Sequence, residues 1–155
     1  MPSPRWASVP SGFHLLEIVG YSRAKDMPTS AALESGPFMV GGYRWCIQVY
    51  PNDRLPEDAD CIAVSFALIR DVEHPVKVHA AFSFIDEVEK QDPRHVRTIQ
   101  ITHVPGNCCM GFPRYITREA FEKSEHLKND CFTIRCDLII VQEGLQGVNA
   151  RANAD

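Results

Sequence analysis

Apolar and polar positions alternate with a period of two along most of this chain. In "FHLLEIVGYS", His14, Leu16 and Ile18 alternate with Leu15, Glu17 and Val19. A strand turns successive side chains to opposite faces, so this pattern predicts a half-buried strand. Phe38 to Val40 is a short strand, interrupted by Gly41-Gly42 as a turn or bulge would interrupt it. From Tyr43 to Tyr50 the alternation is strongest. Tyr43, Trp45, Ile47 and Val49 lie on one face; Arg44, Cys46, Gln48 and Tyr50 lie on the other. "CIAVSFALI" is short and nearly all apolar, which predicts a strand buried on both faces. "VKVHAAFSFI" alternates again, with Val76, Val78, Ala80, Phe82 and Phe84 on one face. "HVRTIQITHV" and "CFTIRCDLIIVQ" are β-branched runs of the same kind.

The segments between them carry turn chemistry. "RAKDMPTSAALESGP" and "DEVEKQDPR" are expected to be loops, and "PNDRLPEDAD" and "DVEHP" turns. "PGNCCMGFP" is expected to be an irregular turn, because Pro and Gly punctuate it. One helix is predicted near residues 118–127, in "REAFEKSEHL". Thr117 is its N-cap, and Glu119 and Glu122 favour the positive end of its dipole. Residues 1–11, rich in Pro and Ser, are expected to form an arm; residues 12–142 form the domain, and residues 143–155 a tail or linker. Seven or eight short strands with one short helix, and no strand–helix alternation, predict an all-β fold. Its architecture is an antiparallel β-sandwich.

Charge narrows the choice of partner. The net charge is −4, with no long run of either sign, which speaks against a nucleic-acid surface. The apolar runs fall far short of the roughly 20 residues of a membrane helix, so no membrane partner is expected. "MPSPRWASVPSG" lacks the apolar core of a secretory signal, so the expected location is the nucleus and cytoplasm. In that reducing setting the six cysteines are expected to be free thiols, mostly packed as small hydrophobes.

Candidate chemistry is sparse. Gly41-Gly42 lacks the Gly-Lys-Ser/Thr and the following helix that a phosphate loop requires. Cys108-Cys109, with His103 nearby in sequence, could suggest a thiol nucleophile, but such pairs depend on spatial adjacency. Cys131 and Cys136 are five apart, so a strand points them to opposite faces and they cannot easily share a zinc ion. The carboxylate pairs Asp58/Asp60 and Asp86/Glu87 are expected to be solvated turn charges. No His cluster occurs. The residues predict no catalytic site, no metal and no cofactor, and favour a binding module. A sandwich offers its loop ends for binding, or one sheet face left partly apolar to receive an extended peptide.

Several stretches together resemble one family. They are "HLLEIVGYS", "SGPFMVGGYRWCIQVYPN", "AVSFAL", "AAFSFI" and "GFPRYITREAFEKSEHLKNDCFTIRCDLIIV". The most specific parts are Gly42-Tyr43-x-Trp45-x-Ile47-x-x-Tyr50-Pro51 and Leu127-x-x-Asp130-x-Phe132-Thr133-Ile134-x-Cys136. From about Phe13 to Val141 the chain resembles the MATH domain, a TRAF-like β-sandwich, and most closely those of plant MATH-BTB proteins. The resemblance implies about eight antiparallel strands in two sheets. It also implies a role as substrate receptor of a cullin-RING ubiquitin ligase. In that role the MATH domain captures an extended segment of a target protein. A BTB domain, absent from this sequence, dimerises and binds the cullin. By itself this chain is expected to be monomeric, and the full-length protein dimeric.

The resemblance further implies a groove for an extended, Ser/Thr-rich peptide with an apolar leading residue. Carried over position by position, the peptide-binding residues are Ser65, Phe82, Thr102, Cys108, Met110, Gly111, Phe112 and Pro113. Phe82, Gly111 and Phe112 keep the family's residue types. Ser65 and Thr102 stand where animal receptors have tyrosines, Met110 where they have tryptophan, and Cys108 and Pro113 where they have lysines. Such a groove keeps an apolar floor, loses donors and flat aromatic walls, and is expected to bind a different motif. Two rival readings accompany this one. A TRAF-type scaffold would carry a coiled coil ahead of the domain, and residues 1–11 are too short and Pro-rich for heptads. An enzyme would act through Cys108/Cys109, or use this domain to dock a deubiquitinase.

Overall fold

Val40 pairs with Tyr43, so Gly41-Gly42 is the whole connection between two strands. Both glycines have left-handed backbones, φ 64° and 81°. A two-residue hairpin turn whose twist matches its strands needs positive φ at both positions, and glycine supplies it without steric cost. The sequence signal at Gly41-Gly42 is therefore a tight hairpin.

The computed structural model describes residues 10–70, 72–90 and 96–141. Nine strands are described: β1 (Ser11–Val19), β2 (Leu33–Glu34), β3 (Phe38–Val40), β4 (Tyr43–Tyr50), β5 (Cys61–Leu68), β6 (Val76–Phe84), β7 (Arg97–Val104), β8 (Cys109–Thr117) and β9 (Cys131–Ile140). Three short helices join them: α1 (Tyr21–Ala24), α2 (Ile85–Lys90) and α3 (Arg118–Glu122), with a 3-10 turn at Pro56–Asp58. One sheet runs β1-β9-β6-β7. The other runs β2-β4-β5-β8, with β3 also on β4. Every pairing is antiparallel. The two inner faces make the core. Trp45, Ile47, Val49, Phe66 and Leu68 meet Val78, Ala80, Phe82, Phe84, Ile134 and Leu138, all buried. The all-β antiparallel sandwich expected from the alternation is the observed fold.

Four local expectations need correction. "PGNCCMGFP" is not an irregular turn: Cys109 to Pro113 belong to β8. Its Gly and Pro read as punctuation, yet Pro113 lies on a strand at the edge of its sheet, where a missing N–H costs least. The ladder to β5 shifts register between Ile62 and Val64. There Arg114 takes φ 53°, and its N–H donates to Asp53 Oδ2 at 2.8 Å. The loop expected over "DEVEKQDPR" contains α2 from Ile85 to Lys90; residues 91–95 lie outside the described ones. Glu87 accepts the N–H of Phe84 at 2.8 Å, half of a capping box that Phe84 hides because it offers no capping oxygen. The loop expected over residues 23–37 contains β2 and the end of α1. The predicted helix after Thr117 ends at Glu122, not 127, because Ser124 donates to the Phe121 carbonyl through both its N–H and hydroxyl. Its cap is as expected: Thr117 Oγ1 accepts from Ala120 N at 3.1 Å.

Asp130 explains one motif residue. Gly20 opens α1 without a side-chain cap. Asp130, from across the sheet, does that work. Its carbonyl accepts from Gly20 N (3.0 Å) and Tyr21 N (2.9 Å), and its carboxylate from Ser22 N (2.9 Å) and Ser22 Oγ (2.7 Å). Asp130→Ala should cost about 1 kcal/mol, the worth of a lost cap. Urea denaturation would show it, and an unchanged midpoint would refute the capping role.

Candidate functional site

β7 and β8 are end strands of opposite sheets and lie on the same flank of the sandwich. Among the described residues, each pairs on one side only within its sheet, which leaves an edge of backbone donors and acceptors. Register fixes what lines the space between them. On β7, Arg97, Ile99 and Thr102 lie opposite the buried Phe82, Ala80 and Val78. On β8, Met110 lies opposite Phe66, and Phe112 opposite Val64. Residues directly opposite in a ladder share a face. Arg97, Ile99 and Thr102 therefore face Met110 and Phe112 across the flank. Met110, Phe112 and Ile99 are only partly buried against the core.

Phe82 lies behind this cleft. It is fully buried, with its ring centroid 6.2 Å from Phe112, edge-to-face, and 6.5 Å from Tyr115. Its side chain backs Phe112 and does not reach the surface. The Arg97 guanidinium sits 5.3 Å over the Tyr115 ring. Burial pushes the Tyr115 phenol well above its ordinary range, with the Glu87 carboxylate adding to the effect.

The alternate residues of β8 lie on the outer face of their sheet. Cys109 is opposite Ala67 and Gly111 opposite Ser65. Together with Pro113, Tyr50, Arg54 and Ala63, they border a small depression of about 80 Å³. Ser65 donates to Gln48 Oε1 at 2.7 Å, and Gln48 donates onward to Glu34 at 3.1 Å. A second, wider depression of about 490 Å³ continues past Cys109 to Cys46, Arg44 and Glu34, with Cys108 on its rim. At Gly111, β8 approaches β5 tightly. A Cβ there would stand 2.1 Å from the Val64 carbonyl oxygen and 2.5 Å from Ser65 Cα. Only glycine permits that approach.

The eight residues carried over from the family therefore divide into two groups. Thr102, Met110 and Phe112 line the cleft, with Phe82 beneath; Ser65, Cys108, Gly111 and Pro113 lie on the outer face. β8 joins the groups, because alternate residues of one strand serve both. Arg97, Ile99, Tyr50, Arg54 and Gln48 also line this surface, and sequence reasoning left them out. An alternating reading of Cys109 to Pro113 would have signalled β8; Arg54 lies in a polar turn with no periodic signal.

The other candidate groups have structural settings. All six cysteines are free. Burial raises the thiol pKa of Cys46, Cys61 and Cys136, which disfavours the nucleophilic thiolate. His103 lies opposite Lys77 in the β6–β7 ladder and lines a different cavity from Cys108. Cys131 and Cys136 point to opposite faces of β9, one partly exposed and one buried. Among the described residues, no three His, Cys, Asp or Glu side chains are placed to hold a metal ion. Asp86 and Glu87, expected to be solvated, are both buried. Asp86 is 2.8 Å from His126 Nδ1, whose ring stacks on Phe84 at 4.0 Å.

Comparison with known proteins identifies the fold and the family. The sandwich superposes on TRAF5 of Notothenia coriiceps with a TM-score of 0.60 at 14% identity, covering 84% of this chain and 74% of the other. That likeness establishes the fold as TRAF-like. The chain belongs to the MATH domain family, whose sequence model matches residues 13–138. It is 29% identical over 144 residues to BTB/POZ and MATH domain-containing protein 3 of Arabidopsis thaliana, covering 88% of this chain and 35% of that protein. Against protein 6 of the same series it is 30% identical over 138 residues, covering 84% and 33%. The chain thus spans about a third of the length of these curated relatives. MATH domains are protein-interaction domains and not catalytic ones.

Proposed function

We propose that this domain holds an extended segment of a target protein along the free edge of β8, as the substrate-capturing part of a cullin-RING ubiquitin ligase receptor. The observation that carries the proposal is the pair of unpaired edges, β7 and β8, on one flank with a partly apolar cleft between them. A strand added to β8 satisfies its outward backbone groups and turns its own side chains alternately to the two faces. One set meets Met110, Phe112 and Thr102 in the cleft. The other meets Cys109, Gly111 and Ser65 on the outer face. The cleft favours apolar side chains of adaptable shape, because Met110 is flexible. The outer face favours small polar ones, because its floor is Ser65 and Gly111. The ligase role is supported by relatives whose names join MATH to BTB/POZ; dimerisation and cullin binding would belong to that second domain.

The test is selection of peptides from a random display library on the 155-residue chain, followed by fluorescence-polarisation titration. Phe112→Ala should weaken the selected peptides about tenfold or more, as loss of an aromatic anchor does. Phe112→Leu should recover part of the loss. Equal binding by wild type and Phe112→Ala would remove the cleft from the proposal.

A further inference from the structure

We infer that the small depression on the outer face of β8 selects an anionic side chain, with Arg54 as the specificity-determining residue. This rests on the strand-addition reading and extends it to the chemistry of the bound segment.

Among the described residues, the depression is lined by one cation and no carboxylate: its ionisable neighbours are Arg54, Tyr50 and Cys109. Arg54 is exposed, and among the described residues no acidic side chain pairs with its guanidinium. The other arginines near this end of the sheet are committed. Arg114 binds Asp58 at 2.9 Å, and Arg118 donates to Asn52 and the Ala59 carbonyl. Arg97 covers Tyr115 from the cleft side. Arg54 is instead held at its base, its N–H donating to Asp53 Oδ1 at 2.7 Å, and its guanidinium lies 5.7 Å over the Tyr50 ring. A planar cation stacked on an aromatic face loses little further freedom when it forks onto an oxyanion.

A donor stands beside it. The Tyr50 hydroxyl reaches Gln48 Oε1 only at 3.5 Å, while Ser65 already donates to that oxygen at 2.7 Å. The Tyr50 hydrogen can therefore turn to an incoming anion with little loss. The depression is small, about 80 Å³, and Ala63, Ser65 and Gly111 among its lining residues suit a short side chain. A carboxylate (Asp or Glu) and a phosphorylated hydroxyl share this chemistry. The segment bound at β8 should carry one of them where it passes over Gly111.

The library selection is run in parallel on the wild-type chain and on Arg54→Glu. The selected peptide is then synthesised with Ser, Asp or phosphoserine at the position in question. Wild type should enrich Asp and Glu there, Arg54→Glu should enrich Lys and Arg, and replacing Asp by Ser should weaken wild-type binding roughly fivefold at low salt. Tighter binding of phosphoserine than Asp identifies a phosphorylated target; weaker binding identifies a carboxylate. Peptides recovered without acidic enrichment, or with enrichment that Arg54→Glu leaves intact, would overturn the inference while strand addition stands. Recovery of no peptide at all would overturn both.

Discussion

Trp45→Ala lowers the unfolding free energy by about 3–5 kcal/mol, the cost of emptying a large aromatic site in a packed core. Trp45 is fully buried. Its ring lies 5.9 Å from Phe66 and 6.3 Å from Tyr43, and its indole N–H donates to the Val40 carbonyl at 3.1 Å. The substitution removes the packing and also takes away the side-chain donor to that carbonyl. The carbonyl belongs to the last residue before the Gly41-Gly42 turn, so the hairpin loses an anchor as well. A domain of this size has roughly 5–15 kcal/mol in total. The variant should therefore unfold at a much lower urea concentration with an unchanged slope. A shift below about 1 kcal/mol would mean that the core collapses around the gap.

Gly111→Ala should cost roughly 3 kcal/mol, the upper end of overpacking penalties, because the obstacle is backbone and cannot rotate away. The added carbon would stand 2.1 Å from the Val64 carbonyl oxygen. Relief requires β8 to separate from β5, and β8 carries the proposed binding edge. Stability and peptide binding should fall together. Gly36→Ala is the control: a Cβ there meets nothing within 4 Å and no left-handed backbone is involved. It should leave both properties unchanged. A Gly111→Ala protein as stable as wild type would show that the β5–β8 contact is looser than described.

Legibility in the sequence tracked how strictly a segment obeys one period. Tyr43 to Tyr50 is legible because the inward set, Trp45, Ile47 and Val49, is fully buried and the outward set carries Arg44 and Gln48. Val76 to Phe84 is legible for the same reason. β8 was not, because Gly111 and Pro113 each serve a tertiary purpose that local rules read as turn chemistry. Gly111 permits close strand approach, and Pro113 sits at a free edge. α2 was hidden because its cap comes from Glu87 reaching back to a backbone N–H. The candidate site suffered most. The family resemblance named positions on β8, but only the ladder shows that Met110 and Phe112 face one way and Cys109 and Gly111 the other. Phe82 illustrates the limit of carrying positions over. Its residue type is kept, yet its side chain is interior. Arg54 follows a turn whose bends depend on the buried Asp53, a contact with β8 sixty-one residues away.

The pairing of β1 with β9 has a mechanical consequence. Ser11, at the start of β1, lies opposite Ile139, near the end of β9. A pulling force applied through these two residues acts across the ladder, at its end. It opens hydrogen bonds one after another, as a zipper opens, and never loads the whole row in shear. Tension transmitted along a polypeptide held at both points would peel β1 first. The β7–β8 flank, at the far side of both sheets, would remain folded while the first strand gives way.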